Sequence, residues 1–146
     1  MVIAIIGLLA SIVLVSLNTA RQKARDSRRL SDLRQVALAL ELYYDNNNNA
    51  YPLITAGCTS ANWQNQMTTA LEGGGYMTEV PIDPLNGATY WYAYSSTLTT
   101  GAEYVLKARL ELAGNPAFVT DVDGEPLGCT VANSASCVDP AYCVMP

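Results

Sequence analysis

The feature that most constrains this chain is its first 34 residues. From Met1 to Leu17 no side chain is charged, and only Ser11 and Ser16 are polar. Residues 18–34 then carry six basic side chains, Arg21, Lys23, Arg25, Arg28, Arg29 and Arg34, against Asp26 and Asp32. No Gly or Pro lies between Leu8 and Arg34, so one helix can run through both stretches. A helix that is apolar on every side must be surrounded by lipid or by other protein. The uncharged run stands at the short end of the roughly 20 residues that span a bilayer.

Beyond the basic stretch the pattern becomes amphipathic. Leu30, Leu33, Ala37, Leu40 and Tyr44 recur three and four residues apart, the period of one helical stripe, and are expected to pack against the rest of the domain. Asp45 and the run Asn46 to Asn49 are poor helix formers, and Tyr51-Pro52 forces extended backbone. The chain therefore divides into a helical unit, 1–46, about 65 Å long at 1.5 Å per residue, and a globular part, 47–146.

In the globular part, Ser60 reads as an N-cap, Trp63, Met67 and Leu71 as the apolar face of a short helix, and Gly73 to Gly75 as its stop. The stretch VPIDPLNGA enforces turns. Three strands are predicted after it. TYWYAYSS (89–96) puts Tyr90, Tyr92 and Tyr94 on one face, and EYVLKARLEL (103–112) alternates strictly, with Lys107, Arg109 and Glu111 opposite the apolar side chains. AFVTDV (117–122) reads as the third. The fold class is α+β: a long helix packed on a small antiparallel sheet of about three strands.

Charge narrows the function. Residues 35–146 hold two basic side chains against eleven acidic ones, a net of −9, which argues against nucleic acid as a partner of the isolated subunit. The chain has no histidine, which removes Ser-His-Asp triads, Cys-His dyads and the usual transition-metal sites; no enzyme is expected. The four cysteines, Cys58, Cys129, Cys137 and Cys143, include no C-x2-C pair, so two disulfides in an oxidising compartment are expected rather than zinc. Three pairings are open, and a bridge from Cys58 to the C-terminal segment constrains the unfolded chain most. Asp121, Asp123 and Glu125 alternate at a turn, but the Gly stands at the fourth position and no Glu at the twelfth, which excludes an EF-hand.

Three stretches carry a resemblance to a known family. VIAIIGLLASIVLVSLNTARQKARDS (2–27), AYP (50–52) and GYMTEVPIDPLNGATYWYAY (75–94) resemble type IV pilins and the related pseudopilins of type II secretion. The last does so through Pro81, Asp83, Pro84, Asn86, Gly87 and Tyr90. The cysteine-rich tail has no counterpart in that pattern. The resemblance implies a structural subunit whose apolar helix lies in the membrane before assembly and in the core of a helical filament of identical copies afterwards. Val2, Ile3, Ile5, Ile6, Gly7, Leu8, Leu9, Ile12, Val13 and Leu14 would form that surface. The implied partners are membrane lipid, the inner-membrane assembly machinery and copies of the chain itself, and the implied destination is an extracellular filament on the cell surface. A type IV pilus-like filament is the first expectation, the pseudopilus of a secretion system the second, and a monomeric membrane-anchored binding module the third. The family's basic leader, the Gly before its cleavage site, the Phe after it and the Glu four residues later are expected upstream of Met1. Some pseudopilins hold calcium near the end of their sheet, so the resemblance makes Asp121, Asp123 and Glu125 candidate calcium ligands; no other cofactor is expected.

Overall fold

The computed structural model describes residues 2–53, 59, 63–97, 100–124, 126–128 and 137–146; within the first part of the long helix the side chains of 2, 4 and 8–15 are outside this description. Helix α1, Val2–Asn46, is continuous over 45 residues. It stops where the asparagines begin: the Asn46 and Asn47 side-chain amides donate to the carbonyls of Leu42 and Tyr43 (2.8 and 2.7 Å), satisfying acceptors the last turn leaves open. Asn48 and Asn49 then take the left-handed conformation that Asn tolerates better than most residues.

The sheet has the order β1-β2-β3, antiparallel throughout, with β1 at Ala93–Ser96, β2 at Tyr104–Arg109 and β3 at Ala141–Val144. Tyr94 lies opposite Leu106, and Tyr142 opposite Ala108. The α+β arrangement of a long helix against three strands is as the sequence predicts. The third strand is not. Asn115 caps a 3-10 turn at Pro116–Val119, its side chain accepting from the Ala117 amide at 3.0 Å, with Pro116 at the first helical position. Asn-Pro is a helix-start signal that outweighs the β-branched residues after it. The strand comes instead from the tail, where AYCV pairs with the free edge of β2.

One core lies between α1 and the sheet. Leu33, Val36, Ala39 and Leu40 of the helix meet Tyr92 and Tyr94 of the β1 segment and Tyr104, Leu106, Ala108 and Leu110 of the β2 segment. Helix α2, Trp63–Glu72, wound as a π-helix, adds buried Trp63, Met67 and Leu71. The wide π turn sets residues four apart nearly above one another, so this spacing presents one apolar edge. The Trp63 indole donates to the Pro81 carbonyl at 2.8 Å and meets Tyr92 edge to face, tying α2 to the sheet.

The second face of the sheet is buried as well. Ala93, Val105, Cys137 and Cys143 form a smaller cluster with Trp91, Val122, Leu127 and Met145. The alternation of β2 predicts a half-buried strand; instead the chain folds back over its polar side, and Lys107 is buried there. A single glycine fixes the turn between β1 and β2. Gly101 has φ of 59°, and a Cβ there would lie 2.6 Å from the Tyr51 carbonyl oxygen, so only glycine lets the Tyr51 amide reach the Gly101 carbonyl at 2.8 Å.

Candidate assembly surface

In this chain the second half of α1 is anchored by charge as well as by apolar contact. Asp26, Arg29, Leu33, Val36 and Leu40 follow one another at spacings of three and four, and all five are buried. The Arg29 side chain is completely enclosed. Its guanidinium donates to Asp83 from Nε and Nη2 (2.7 and 3.1 Å), and from Nη1 to both Asp26 and Glu111 (each 2.8 Å). The Tyr90 ring covers its face at 4.8 Å. Arg25, one turn earlier, holds Glu111 bidentately with both bonds at 2.6 Å.

The acids are themselves placed by backbone. Asp83 accepts from the amides of Leu85 and Asn86 and so closes the PLNG turn; Asp26 accepts from the amides of Glu111 and Leu112. Three elements thus converge on one guanidinium: the helix, the turn before β1 and the end of the β2 segment. Burial alone would lower the Arg29 pKa, but its bonds to Asp83 and Glu111 outweigh burial and hold it above the ordinary value. The bond from Arg25, helped by Arg29, depresses the Glu111 carboxyl to about 2. Further along, the Tyr92 hydroxyl donates to Asp32 at 2.8 Å, and burial first, then that bond, raises the Tyr92 pKa.

The structure places the five residues of the predicted packing stripe at this face, though not equally. Leu33 and Leu40 are buried, whereas Leu30, Ala37 and Tyr44 lie partly buried along the flank. The true centre of the contact runs through Asp26, Arg29 and Val36. A hydrophobic period could not register Asp26 and Arg29, because charged side chains are normally solvated. The one available signal was the count of compensating acids elsewhere in the chain.

The first half of α1 has no such anchor among the described residues. Ile3, Ile5 and Ile6 are 85%, 58% and 61% exposed, Gly7 is exposed, and nothing lies within 4 Å of a Cβ built at Gly7. The side chains of Val2, Leu8, Leu9, Ile12, Val13 and Leu14 lie outside the described set. Among the described residues, which leave out most side chains of the predicted span, no helix is long and apolar enough to cross a membrane.

In the tail, Cys137 and Cys143 form a disulfide that braces β3 against the second cluster; Cys58 and Cys129 lie outside the described residues. Glu125 does too. Asp121 and Asp123 come together with Asp139 instead, their oxygens within 4.8 Å of one another. Asp139 arrives from a part of the chain distant in sequence, just before β3, and so was invisible to local spacing. One Asp121 oxygen accepts from the Cys143 amide at 3.3 Å; the other is buried and finds no partner among the described residues. Burial, and then the charges of Asp123 and Asp139, raise the Asp121 pKa. Three hard oxygen donors at this separation, one of them orphaned, fit a calcium ion, which would neutralise their mutual repulsion and pin the Asp121 and Asp139 segments together.

The chain is 35% identical over 88 residues to the type II secretion system core protein G of Aeromonas hydrophila, a stretch that is 57% of this chain and 59% of the relative. The chain thus spans less than two thirds of that relative's length. No protein-family model matches the chain. No solved structure matches it either. The similarity to core protein G is consistent with the pilin-like resemblance carried by the N-terminal helix and the Pro81 to Tyr90 turn.

Proposed function

We propose that the chain is a structural subunit of a pilin-like filament, and that its activity is assembly rather than catalysis. One observation carries the reading: α1 is a continuous helix clamped to the domain along its second half, while Ile3, Ile5 and Ile6 near its start are exposed. Covering a large aliphatic side chain is worth about 1.5–3 kcal/mol, so exposed Ile3, Ile5 and Ile6 call for an apolar surrounding. Lipid supplies it before assembly, and the helices of neighbouring copies supply it afterwards. Head-to-tail contacts that do not close generate an open helical assembly, with the globular parts outside. Inner-membrane assembly machinery would transfer the subunit from one surrounding to the other, from a membrane-anchored state to a filament beyond the membrane.

Of the two filament types expected from sequence, the similarity to core protein G favours the secretion-system pseudopilus. The surface pilus, the first expectation, becomes the alternative. Electron microscopy of material sheared from producing cells, with helical reconstruction, tests the reading. Core density that fits residues 2–46 of this sequence supports it. A chain that stays monodisperse in detergent, with no filament containing it, overturns it in favour of an anchored binding module.

A further inference from the structure

The globular part owns only two cations, and the fold brings them to one place. Residues 35–146 contain Lys107 and Arg109 against eleven acidic side chains. The two stand at alternate positions of β2 and so leave the sheet on the same face. Ala88, Thr89 and Trp91, from the turn before β1, close around them to form a recess of about 120 Å³. Lys107 is buried with its ammonium 5.1 Å from the centre of the Trp91 ring, while Arg109 is exposed.

The size of the recess selects its ligand. Pockets for cofactors and other drug-sized molecules run to about 300–1,000 Å³; this one admits a single small side chain. Its charge selects the ligand too. A guanidinium offers a carboxylate two parallel N–H bonds, and the indole excludes water from one side of the pair. The rest of the domain supplies the matching groups on its outside, since Glu41, Asp45, Glu79, Glu103, Asp123 and Asp139 are exposed or solvent-facing. Copies of so acidic a surface repel one another unless a positive patch lies in the contact. The other cations are at the helix. Arg25 and Arg29 are committed to Asp26, Asp83 and Glu111, Arg28 approaches Asp32 at 3.6 Å, and Arg21, Lys23 and Arg34 stand exposed on α1, outside the globular part.

We propose that the recess between Trp91, Lys107 and Arg109 receives an acidic side chain from a second copy of the chain. The proposal takes from the filament reading that copies meet side by side; the chemistry of the recess does not depend on it. Burial, and after it the charge of Arg109, lowers the Lys107 ammonium to about 8, which a seated carboxylate would reverse.

The test uses the full chain as sheared filaments, formed from an equal mixture of isotopically light and heavy copies and treated with a zero-length carbodiimide coupler. The sequence has only two lysines, Lys23 and Lys107, so the variant Arg109→Lys adds a third, unambiguous amine. An amide joining position 109 of one isotopic copy to an Asp or Glu of the other is expected. Arg109→Glu is expected to cut filament yield about tenfold, as like charge replaces the attraction in the contact, with its thermal midpoint unchanged. Links confined to single copies, or parental filament yield from a folded Arg109→Glu chain, overturn the proposal. Failure of the parental chain to form filaments overturns the filament reading instead. Coupling is then read on the detergent-solubilised chain, where a link between copies through position 109 upholds the recess and its absence refutes it.

Discussion

Replacing Arg29 by Met tests the clamp that holds α1 to the sheet. The guanidinium is fully enclosed and joins Asp26, Asp83 and Glu111. Removing one partner of a buried ion pair costs about 3–5 kcal/mol, chiefly because the other charge is left without compensation. Here the loss is unevenly shared. Glu111 keeps Arg25, and Asp26 and Asp83 each keep two backbone amides. That places Arg29→Met near the lower end, about 3 kcal/mol, a fall of roughly 10–15 °C in the midpoint for a domain of this size. Asp83→Asn in the Met background removes the stranded charge but keeps the turn, and is expected to return about 1–2 kcal/mol. In the parental background the same Asp83→Asn change destabilises. Urea unfolding of the full chain in detergent, followed by the fluorescence of Trp63 and Trp91, measures all four corners of this cycle. A cost below about 1 kcal/mol for Arg29→Met, or an Asp83→Asn change with the same sign in both backgrounds, would refute the clamp.

Three other outcomes follow from the same contacts. The Glu111 pKa is depressed to about 2 in the fold, so its stabilisation is complete above the unfolded value near 4.5 and is lost as pH falls towards 2; Glu111→Gln should flatten the acid limb of stability measured between pH 5 and 2. Tyr51, Tyr92, Tyr94 and Tyr104 are all raised, the last to about 12, with burial the leading cause in each. The unfolded chain ionises them near 10 while the fold does not, so stability falls above pH 10, and the share of tyrosinate absorbance that these four contribute should appear together with unfolding rather than before it. Calcium held by Asp121, Asp123 and Asp139 should raise stability by about 2.7 kcal/mol at a hundredfold excess over its dissociation constant. A chelator should reverse this, and Asp139→Asn should abolish it; an unchanged midpoint with and without calcium removes the ion from the site.

How far these features were legible in the sequence depended on whether their cause was local. The long helix, its stop at the asparagines and the turn-forming prolines follow from neighbouring residues, and so do the alternation of β2 and the Trp63, Met67, Leu71 edge of α2. The errors arose where one local signal outweighed another, or where a distant partner decided. Pro116 and Asn115 turned an expected strand into a 3-10 turn, and the vacated edge of β2 was filled by Ala141–Val144 from the tail. The tail offered only four strand residues between Pro140 and Pro146, too few to announce themselves.

By itself the sequence determined that one helix would be greasy at its start, basic beyond that and amphipathic at its end, because helix period and solvation are properties of adjacent residues. Only the tertiary structure decided which charges would be hidden. Arg29 is buried because Asp83 and Glu111, 54 and 82 positions away, fold back to meet it, and Asp26 because Arg29 and the amides of Glu111 and Leu112 do. It also decided that Lys107 and Arg109 would share a recess with Trp91, and that Asp139 would join Asp121 and Asp123. In each case residues distant in sequence had to meet, and for the buried Arg29 the reason is electrostatic. A charge can leave water only where a partner of suitable sign and geometry meets it, and that meeting is a property of the folded chain as a whole.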